Sequence, residues 1–386
     1  MDLEYDDATL AFRDEVRAFL KANVPAEPLP SMDTAEGFEA HRRWERTLAD
    51  ARLSVVSWPE ELGGRDASLL EWVVFEEEYY RSGAPGRVSQ NGIFLLAPTL
   101  FEHANPEQLA RIMPRMARAD DIWAQAWSEP ESGSDLASLR STARRADGGW
   151  VLNGQKTWSS RASFADWGFG LFRSDPEAQR HKGITYFMFD LRSQGVTVRP
   201  IDQLDGEPGF AEIFLEDVFV PDDPAHPGES GVIGGVNEGW RVAMSTASNE
   251  RGLSLRSPGR FLATVDRLVA LFRDSGRTDD TALRDRVADA WIGARAYQLS
   301  TFGTVTRLAD GGQLGAESSI NKVFWSEWDI TTHETALELQ GPSAELADNW
   351  MDGYLFSLSG PIYAGTNEIQ KNVIAERLLG LPKADR

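Results

Sequence analysis

The chain has 386 residues, of which 41% are hydrophobic and 26% charged, with a formal net charge of −21. This length and composition predict a folded protein of two or three domains. The acidic balance argues against nucleic acid and anionic membranes as partners, because both attract basic surfaces. The chain has no cysteine, which excludes disulfides, thiolate catalysis and iron–sulfur sites, so any redox chemistry must come from a bound cofactor.

The N-terminal part of the chain predicts a helical domain. Apolar residues recur there at helical spacing, with capping residues or proline where the segments begin. The predicted helices are Asp6 to Ala22, His41 to Arg52, Ser68 to Ser82, Gly92 to His103 and Asn105 to Arg118.

The pattern then changes to short β-branched or aromatic runs separated by Gly, Pro, Asp and Asn, which predicts a compact antiparallel β domain. Asn153-Gly154 is typical of a tight turn. The predicted strands are Ile122 to Trp127, Trp150 to Trp158, Trp167 to Arg173, Gly183 to Leu191, Val196 to Pro200 and Ala211 to Val220.

From Val236 the helical period returns and predicts a bundle. Its predicted helices are Asn237 to Asp274 with a kink at Pro258, Thr281 to Ala309, Glu317 to Gln340 and Thr366 to Leu379. The predicted fold is therefore an α+β multidomain chain with a helical domain (1–122), a central antiparallel β-barrel or sandwich domain (123–227) and a C-terminal four-helix bundle (228–386).

Several localisations and site types lose support. The amino terminus is acidic and no apolar stretch is long enough to span a bilayer, so we expect no signal peptide, no membrane insertion and a cytoplasmic location. The five histidines are scattered, so we expect no metal site. No Gly-x-Gly-x-x-Gly, phosphate-loop or Gly-x-Ser-x-Gly motif occurs.

Two neighbouring segments combine an aromatic ring with hydrogen-bond donors. Gln125 to Asp135 (QAWSEPESGSD) is a loop rich in hydroxyls and punctuated by Pro and Gly. Leu152 to Asp166 (LNGQKTWSSRASFAD) places Trp158 beside Ser159 and Ser160, which we expect on adjacent points of one strand. Together they suit a large, planar, polar ligand such as a flavin ring.

A third segment, 239–254 (GWRVAMSTASNERGLS), predicts a helix with one face of small residues and a carboxylate. That face holds Ala243, Ala247, Glu250 and Ser254. A carboxylate on an apolar face has a raised pKa, as a general base requires. The alternative is that Glu250 and Arg251 form a solvated pair on the helix surface.

These motifs, and the loop at 361–370 (PIYAGTNEIQ), resemble those of the acyl-CoA dehydrogenase family of flavoproteins, particularly its bacterial branch. That family's signature reads roughly Thr-Glu-Pro…Gly-Ser-Asp and Lys-x-Trp-Ile-Thr-Asn. The resemblance implies FAD as the cofactor. The implied FAD contacts are Gln125, Trp127, Ser128, Ser134, Trp158, Ser160, Arg277, Glu338, Gly341, Thr366 and Glu368. For Thr366 the alternative is that it only caps the last helix.

The resemblance also implies the chemistry. The spacing from Gly239 to Glu250 is similar to that of the helix carrying the catalytic glutamate in isovaleryl- and long-chain-type members, whereas the medium-chain-type position holds Ala364. Glu250 would take the α-proton of an acyl-CoA while the β-hydrogen leaves as hydride to flavin N5, and the Ala364 backbone N–H would stabilise the thioester oxygen. The implied substrate contacts are Ser134, Ala243, Ala247, Arg251, Tyr363 and Gly365.

The resemblance implies a homotetramer built as a dimer of dimers, with an electron-transfer flavoprotein as the acceptor. Two departures leave open a partner subunit of a hetero-tetramer: Arg277-Thr-Asp-Asp replaces the family's Arg-x-x-Phe-Gly, and Glu338-Leu-Gln-Gly-Pro replaces Gln-x-x-Gly-Gly. A flavin oxidase or monooxygenase on the same scaffold is the other alternative. Small Ala243 and Ala247 would admit a branched, cyclic or steroid-like acyl chain, and the sequence does not distinguish these from a straight chain.

Overall fold

The computed structural model describes residues 5–250, 257–312, 315–346 and 348–383, with the backbone alone at 248–250. The chain forms two units, each assembled from separate stretches of sequence. Residues 1–24, 67–84 and 251–386 form one, called here the helical unit, and residues 25–66 and 85–250 form the other, the mixed unit. Among the described helices, none combines the length and apolar character that crossing a bilayer requires.

Most of the described α-helices begin after a residue whose side chain caps them. Asp6, Thr34, Ser68, Asn105 and Asp280 each accept a backbone N–H of the first turn. In chain order the helices are α1 (Asp7–Asn23), α2 (Ala35–Asp50), α3 (Leu69–Arg81), α4 (Ala97–His103), α5 (Pro106–Ala117), α6 (Gly239–Glu250), α7 (Pro258–Asp274), α8 (Thr281–Ala309), α9 (Ser318–Gln340), α10 (Asn349–Ser357) and α11 (Asn367–Val373).

Four helical segments differ from the sequence prediction. Asn91–Leu96, which precedes α4, is a π-helix, as is Ile374–Leu378 after α11. The predicted kink at Pro258 is wrong, because Ser257 is an extended N-cap and Pro258 is the first residue of the separate helix α7. Helix α10 was not predicted, since its sequence has no clear apolar period.

The helical unit has its core between α7, α8 and α9. Phe261 packs edge-on against Tyr297 and Trp328, with ring centroids 5.1 and 5.3 Å apart. Helix α7 approaches α3 closely because Gly259 has no side chain, and a Cβ there would lie 2.5 Å from the Glu76 carbonyl oxygen. The aromatic core therefore sets the spacing of the bundle, and Gly259 allows α3 to pack closely against α7.

The mixed unit contains one sheet. Its order is β6-β7-β3-β2-β4-β5-β8, and β1 pairs with β4 in parallel, so the largely antiparallel sheet is mixed. All six predicted strands are confirmed, whereas β2 and β8 were not predicted. The strands are β1 (Trp123–Ala126), β2 (Thr142–Ala146), β3 (Gly149–Lys156), β4 (Trp167–Arg173), β5 (Ile184–Asp190), β6 (Val196–Ile201), β7 (Phe210–Pro221) and β8 (Val232–Ile233).

A buried ion pair connects α2 to the sheet. Arg42 donates to the Ala119 carbonyl at 2.7 Å and to the Asp166 carboxylate at 2.9 Å. The same carboxylate accepts the backbone N–H of Ile122 at 2.9 Å, immediately before β1. Because these polar groups are buried together, they satisfy one another and fix where β1 begins.

The predicted turn at Asn153-Gly154 is wrong. Both residues lie inside β3, where the pairing with β7 shifts by a β-bulge and the Asn153 side chain bonds to Asp217. Gly154 has φ of 147°, and a Cβ there would lie 2.2 Å from the Ser141 hydroxyl oxygen. The hairpin turn lies instead at residues 147–148, between β2 and β3.

Gly154→Ala should lower the free energy of unfolding by roughly 3 kcal/mol, because alanine adds backbone strain and a steric clash. Gly148→Ala is the matched control, since Gly148 also has positive φ but open space around it, and it should cost only about 1 kcal/mol. Urea unfolding of both variants measures the difference. Equal losses of stability in the two variants would contradict the β-bulge at Gly154.

Candidate functional site

The two segments that predicted a flavin site are joined by hydrogen bonds. The Thr157 backbone N–H donates to the Ser128 carbonyl at 2.9 Å. The Lys156 ammonium donates to the Glu129 carboxylate at 2.8 Å and to the Leu171 carbonyl at 2.7 Å. Lys156 is 0% exposed and Glu129 is 8% exposed, so this ion pair ties the end of β3 to the loop after β1 away from water.

The ion pair is surrounded by further donors. The backbone N–H groups of Arg140 and Ser141 donate to the Glu129 carboxylate at 2.6 and 3.0 Å. Burial opposes ionisation of Glu129, but the Lys156 ammonium and these hydrogen bonds leave its pKa below the usual value. Burial lowers the pKa of Lys156, and Glu129 offsets part of that effect. Sequence analysis missed this pair, although Glu129 and Lys156 both lie in its motifs.

An exposed aromatic ring follows β3. Trp158 is 60% exposed, has φ of 60°, and packs its ring edge-on against Phe210 with centroids 6.0 Å apart. The prediction that Trp158 and its neighbouring serines lie on one strand is wrong, because β3 ends at Lys156 and Trp158 has a left-handed backbone. Such backbone in a residue other than glycine is uncommon and recurs at ligand sites.

Hydrogen-bonding side chains lie close to Trp158 and Trp127 in sequence. Ser159 pairs with Ala211 through both backbone groups at 3.0 Å, and its buried hydroxyl makes no hydrogen bond to the described residues. Ser160 is half-buried, and Ser134 is exposed in the loop before β2. The other predicted flavin contacts of this unit, Gln125, Trp127 and Ser128, are all half-buried.

Helix α6 is attached to the sheet at its start. The Asn237 backbone N–H donates to the Thr185 hydroxyl of β5 at 2.8 Å, and a Cβ at Gly239 would lie 2.7 Å from the Thr185 carbonyl carbon. Ala243 and Ala247 are buried on this helix. Glu250 is the last residue of α6, and its side chain lies outside the described residues, as do Arg251 and Ser254.

The loop at 361–366 belongs to the helical unit and is held by a buried lysine. The Lys322 ammonium donates to the Gly360 carbonyl at 2.7 Å and to the Asn367 side-chain oxygen at 2.9 Å. Lys322 is 0% exposed. Ala364 and Gly365 both have positive φ, 57° and 80°, so the loop reverses direction between two fixed ends.

Two predicted cofactor residues lie at the start of α11. Thr366 is the N-cap, and its hydroxyl accepts the Ile369 N–H at 3.3 Å. Glu368 lies in the first turn, where hydrogen bonds from its own backbone N–H and from Thr366 lower its pKa. Tyr363 packs its ring 5.8 Å from that of Trp325. The capping role predicted as the alternative for Thr366 is therefore observed.

Three more predicted cofactor residues meet elsewhere in the helical unit. Arg277 donates to the Glu338 carbonyl at 2.9 Å and to the Asp280 carboxylate at 3.0 Å. The Glu338 carboxylate pairs with Arg286. Gly341 caps α9 with φ of 60°. Among the side chains that the structure describes, no group of three His, Asp or Glu residues is arranged to hold a metal ion.

The fold is that of a class of flavoprotein oxidoreductases. The family models for the N-terminal, middle and C-terminal domains of acyl-CoA dehydrogenases match residues 6–120, 124–218 and 237–379. The chain belongs to the acyl-CoA dehydrogenase family and is an enzyme of that oxidoreductase class. The resemblance found in the sequence and the predicted fold class are both confirmed.

Individual relatives cover nearly the whole chain or all of it. Acyl-CoA dehydrogenase IpdE1 of Mycobacterium tuberculosis is 38% identical over 96% of this chain and 97% of its own length. A structure titled "Tcur3481-Tcur3483 steroid ACAD" is 26% identical with a TM-score of 0.87, and each chain is covered completely. The ChsE4-ChsE5 complex of Mycobacterium tuberculosis has a TM-score of 0.82 at 26% identity, again over the full length of both chains.

Lys156→Met should lower the free energy of unfolding by about 3 kcal/mol or more, because it leaves the Glu129 carboxylate buried without its cation. The matched control is Lys371→Met, which removes a pair with Glu327 whose side chains are 58% and 55% exposed and should cost under about 1 kcal/mol. Denaturant unfolding compares them. Similar losses would show that burial of the Lys156 pair is unimportant.

The same pair should contribute to acid sensitivity. Because the pKa of Glu129 is lowered in the fold, its stabilisation is complete above the ordinary glutamate pKa of about 4.3 and is lost as the pH falls below it. The double variant Glu129→Gln/Lys156→Met should therefore lose less stability than the wild type between about pH 5 and pH 3. Unfolding at a series of pH values measures this. If the stability of the wild type and of the double variant falls equally with pH, the lowered pKa of Glu129 does not contribute to acid sensitivity.

Proposed function

We propose that the chain catalyses FAD-dependent α,β-dehydrogenation of an acyl-CoA thioester to a trans-2-enoyl-CoA, with Glu250 as the base. One observation carries the choice of base. Helix α6 ends in a carboxylate residue, whereas the C-terminal loop has alanine at 364, where other members of the family carry the glutamate. Glu250 is thus the carboxylate available for α-proton abstraction at a position that the family uses.

The residues of the mixed unit fit a flavin. The cofactor needs an aromatic surface and several donors, and Trp158 supplies an exposed indole while Gln125, Ser128 and Ser160 supply half-buried polar groups. The buried Ser159 hydroxyl has no hydrogen-bond partner among the described residues, which leaves a donor for a ligand. When bound, FAD supplies the acceptor for the β-hydrogen of the substrate.

The protein's own groups handle the proton and the developing charge. The Glu250 carboxylate takes the α-proton as the general base. By the family resemblance, the Ala364 backbone N–H donates to the thioester oxygen as negative charge develops there. A backbone donor does not depend on the side chain, so alanine suffices at 364. Lys322 holds the ends of that loop and so orients this donor.

Glu250→Gln should abolish turnover while the purified protein keeps its yellow chromophore and still binds acyl-CoA, because the amide cannot accept the α-proton. Anaerobic addition of a panel of acyl-CoAs, followed at the flavin absorption band, measures the loss. Glu238→Gln is the control, since that exposed carboxylate pairs with Arg241 at the start of the same helix. Bleaching of Glu250→Gln at the wild-type rate would remove Glu250 from the mechanism.

Trp158→Ala should lower the fraction of purified protein that retains FAD, because the exposed indole would no longer cover the ring. Phe219→Ala is the matched control, as Phe219 is an aromatic residue on β7 of the same unit that is 49% exposed. The ratio of flavin absorption to protein absorption measures retention. If both variants retain FAD equally, Trp158 does not contact the cofactor.

A steroid-like substrate is a further part of the proposal. Its support is the similarity to the structure titled as a steroid acyl-CoA dehydrogenase and the small Ala243 and Ala247 side chains on α6. The same panel of acyl-CoAs, extended to bulky cyclic thioesters, compares the rates. Oxygen consumption without an added acceptor would favour the oxidase alternative, whereas reduction of an electron-transfer flavoprotein would favour the dehydrogenase.

Two assemblies remain candidates for the active form, a homotetramer and a hetero-tetramer with a second acyl-CoA dehydrogenase chain. The hetero-tetramer is favoured by the similarity to the ChsE4-ChsE5 complex and by Arg277, which bonds to Glu338 and Asp280 within its own chain. Light scattering of the purified chain tests the first, with four copies and bound FAD expected. A colourless smaller species would favour the second.

A further inference from the structure

A series of buried hydrogen bonds connects the segment around Trp127 to helix α6. The Trp127 indole N–H donates to the Tyr186 hydroxyl at 3.0 Å, and that hydroxyl lies 3.4 Å from the Thr246 hydroxyl. Thr246 lies 2.7 Å from the Thr99 hydroxyl, which donates to the Leu95 carbonyl at 3.0 Å. Tyr186, Thr246 and Thr99 are each 0% exposed. The series therefore runs from a predicted flavin contact into a dry interior.

The hydroxyls along this series can all donate in one direction. An indole N–H only donates and a carbonyl only accepts, so the series starts at Trp127 and ends at Leu95. Tyr186 accepts from Trp127 and can donate to Thr246, and the Thr246 hydroxyl can donate to Thr99 or to the Val242 carbonyl 3.3 Å away. Each hydroxyl is thus both acceptor and donor. Removing one of these hydroxyls interrupts the series. Because the hydroxyls are buried, water does not replace the lost hydrogen bond.

The series attaches α6 to β5 a second time. Thr185 of β5 accepts the N–H of Asn237 just before the helix, and the next residue, Tyr186, bonds to Thr246 in its third turn. Two attachments along one helix fix its rotation as well as its position. Glu250 follows Thr246 by four residues, which is about one turn and places both on neighbouring parts of the same helix face.

We propose that Thr246 and Tyr186 are positioning residues, which hold α6 so that its last residue, Glu250, keeps a fixed position relative to the segment carrying Trp127. The inference rests on the proposed dehydrogenation. Neither hydroxyl takes part in the chemistry. Without Thr246 the helix can rotate or shift, and the Glu250 carboxylate then meets the α-carbon less often in a reactive geometry, although FAD and substrate still bind.

Thr246→Val, which keeps the shape and removes the hydroxyl, should lower kcat about tenfold or more, with little change in KM or FAD content. Tyr186→Phe should do the same, and the double variant should be no slower than either single variant, because both interrupt one series. Thr246→Ser should recover most of the rate. A double variant whose loss of kcat equals the product of the two single losses would overturn the coupling.

The matched control is Thr301→Val. Thr301 is also buried, and its hydroxyl donates to the Tyr297 carbonyl within α8 at 2.9 Å. This variant should lower stability while leaving kcat unchanged. A kcat for Thr246→Val within twofold of wild type, with acyl-CoA oxidation otherwise intact, would overturn the inference and leave the proposed function standing.

Hydrogen exchange separates the inference from the proposed function. In Thr246→Val, but not in Thr301→Val, the backbone amides of 240–247 should exchange faster than in wild type. If the wild-type chain oxidises no acyl-CoA, the proposed function fails, and faster exchange still supports attachment of α6 through Thr246. Unchanged exchange overturns the attachment whatever the activity.

Discussion

The buried ion pair between Lys156 and Glu129 is the contact on which the proposed flavin surface depends. It joins residues 27 positions apart and holds the end of β3 against the loop after β1. The charges are out of water, so their position is defined by hydrogen bonds from Arg140 and Ser141 and to the Leu171 carbonyl. Trp158 and Ser160 follow this anchored end, so the pair determines where the aromatic ring and its neighbouring donor begin.

Both units use a fully buried lysine to fix a loop with a proposed role. Lys156 does so beside the flavin segments, and Lys322 does so at the loop carrying Ala364, through the Gly360 carbonyl and the Asn367 side chain. A lysine suits this task because its long stem reaches across a core and its ammonium has three donors. Helix α6 is attached to the sheet differently, by the neutral hydroxyls of Thr185 and Tyr186 on β5.

The sequence pattern predicts a segment correctly where that segment's own side chains define its structure. The bounds of β4 and α8 were predicted to the residue, because their apolar period and flanking signals agree. Prediction failed where neighbours decide. Asn153-Gly154 has the residues of a hairpin turn, yet β7 pairs along both sides of it and the glycine is needed for close approach to Ser141. Strand β2 is polar along most of its length and was missed, since its partners β3 and β4 stabilise it.

The sequence by itself determined the family, the order of helices and strands, the need for a bound redox cofactor and the candidate residues, because motifs and periodicity are local properties of the chain. Only the tertiary structure decided that α1 and α3 belong to the same unit as α7 and α8, while α2, α4 and α5 belong to the unit that contains the sheet. It also decided that Lys156 pairs with Glu129 and that Tyr186 reaches Thr246, 60 positions away. Such contacts depend on how elements distant in sequence pack together, and local spacing carries no record of that packing.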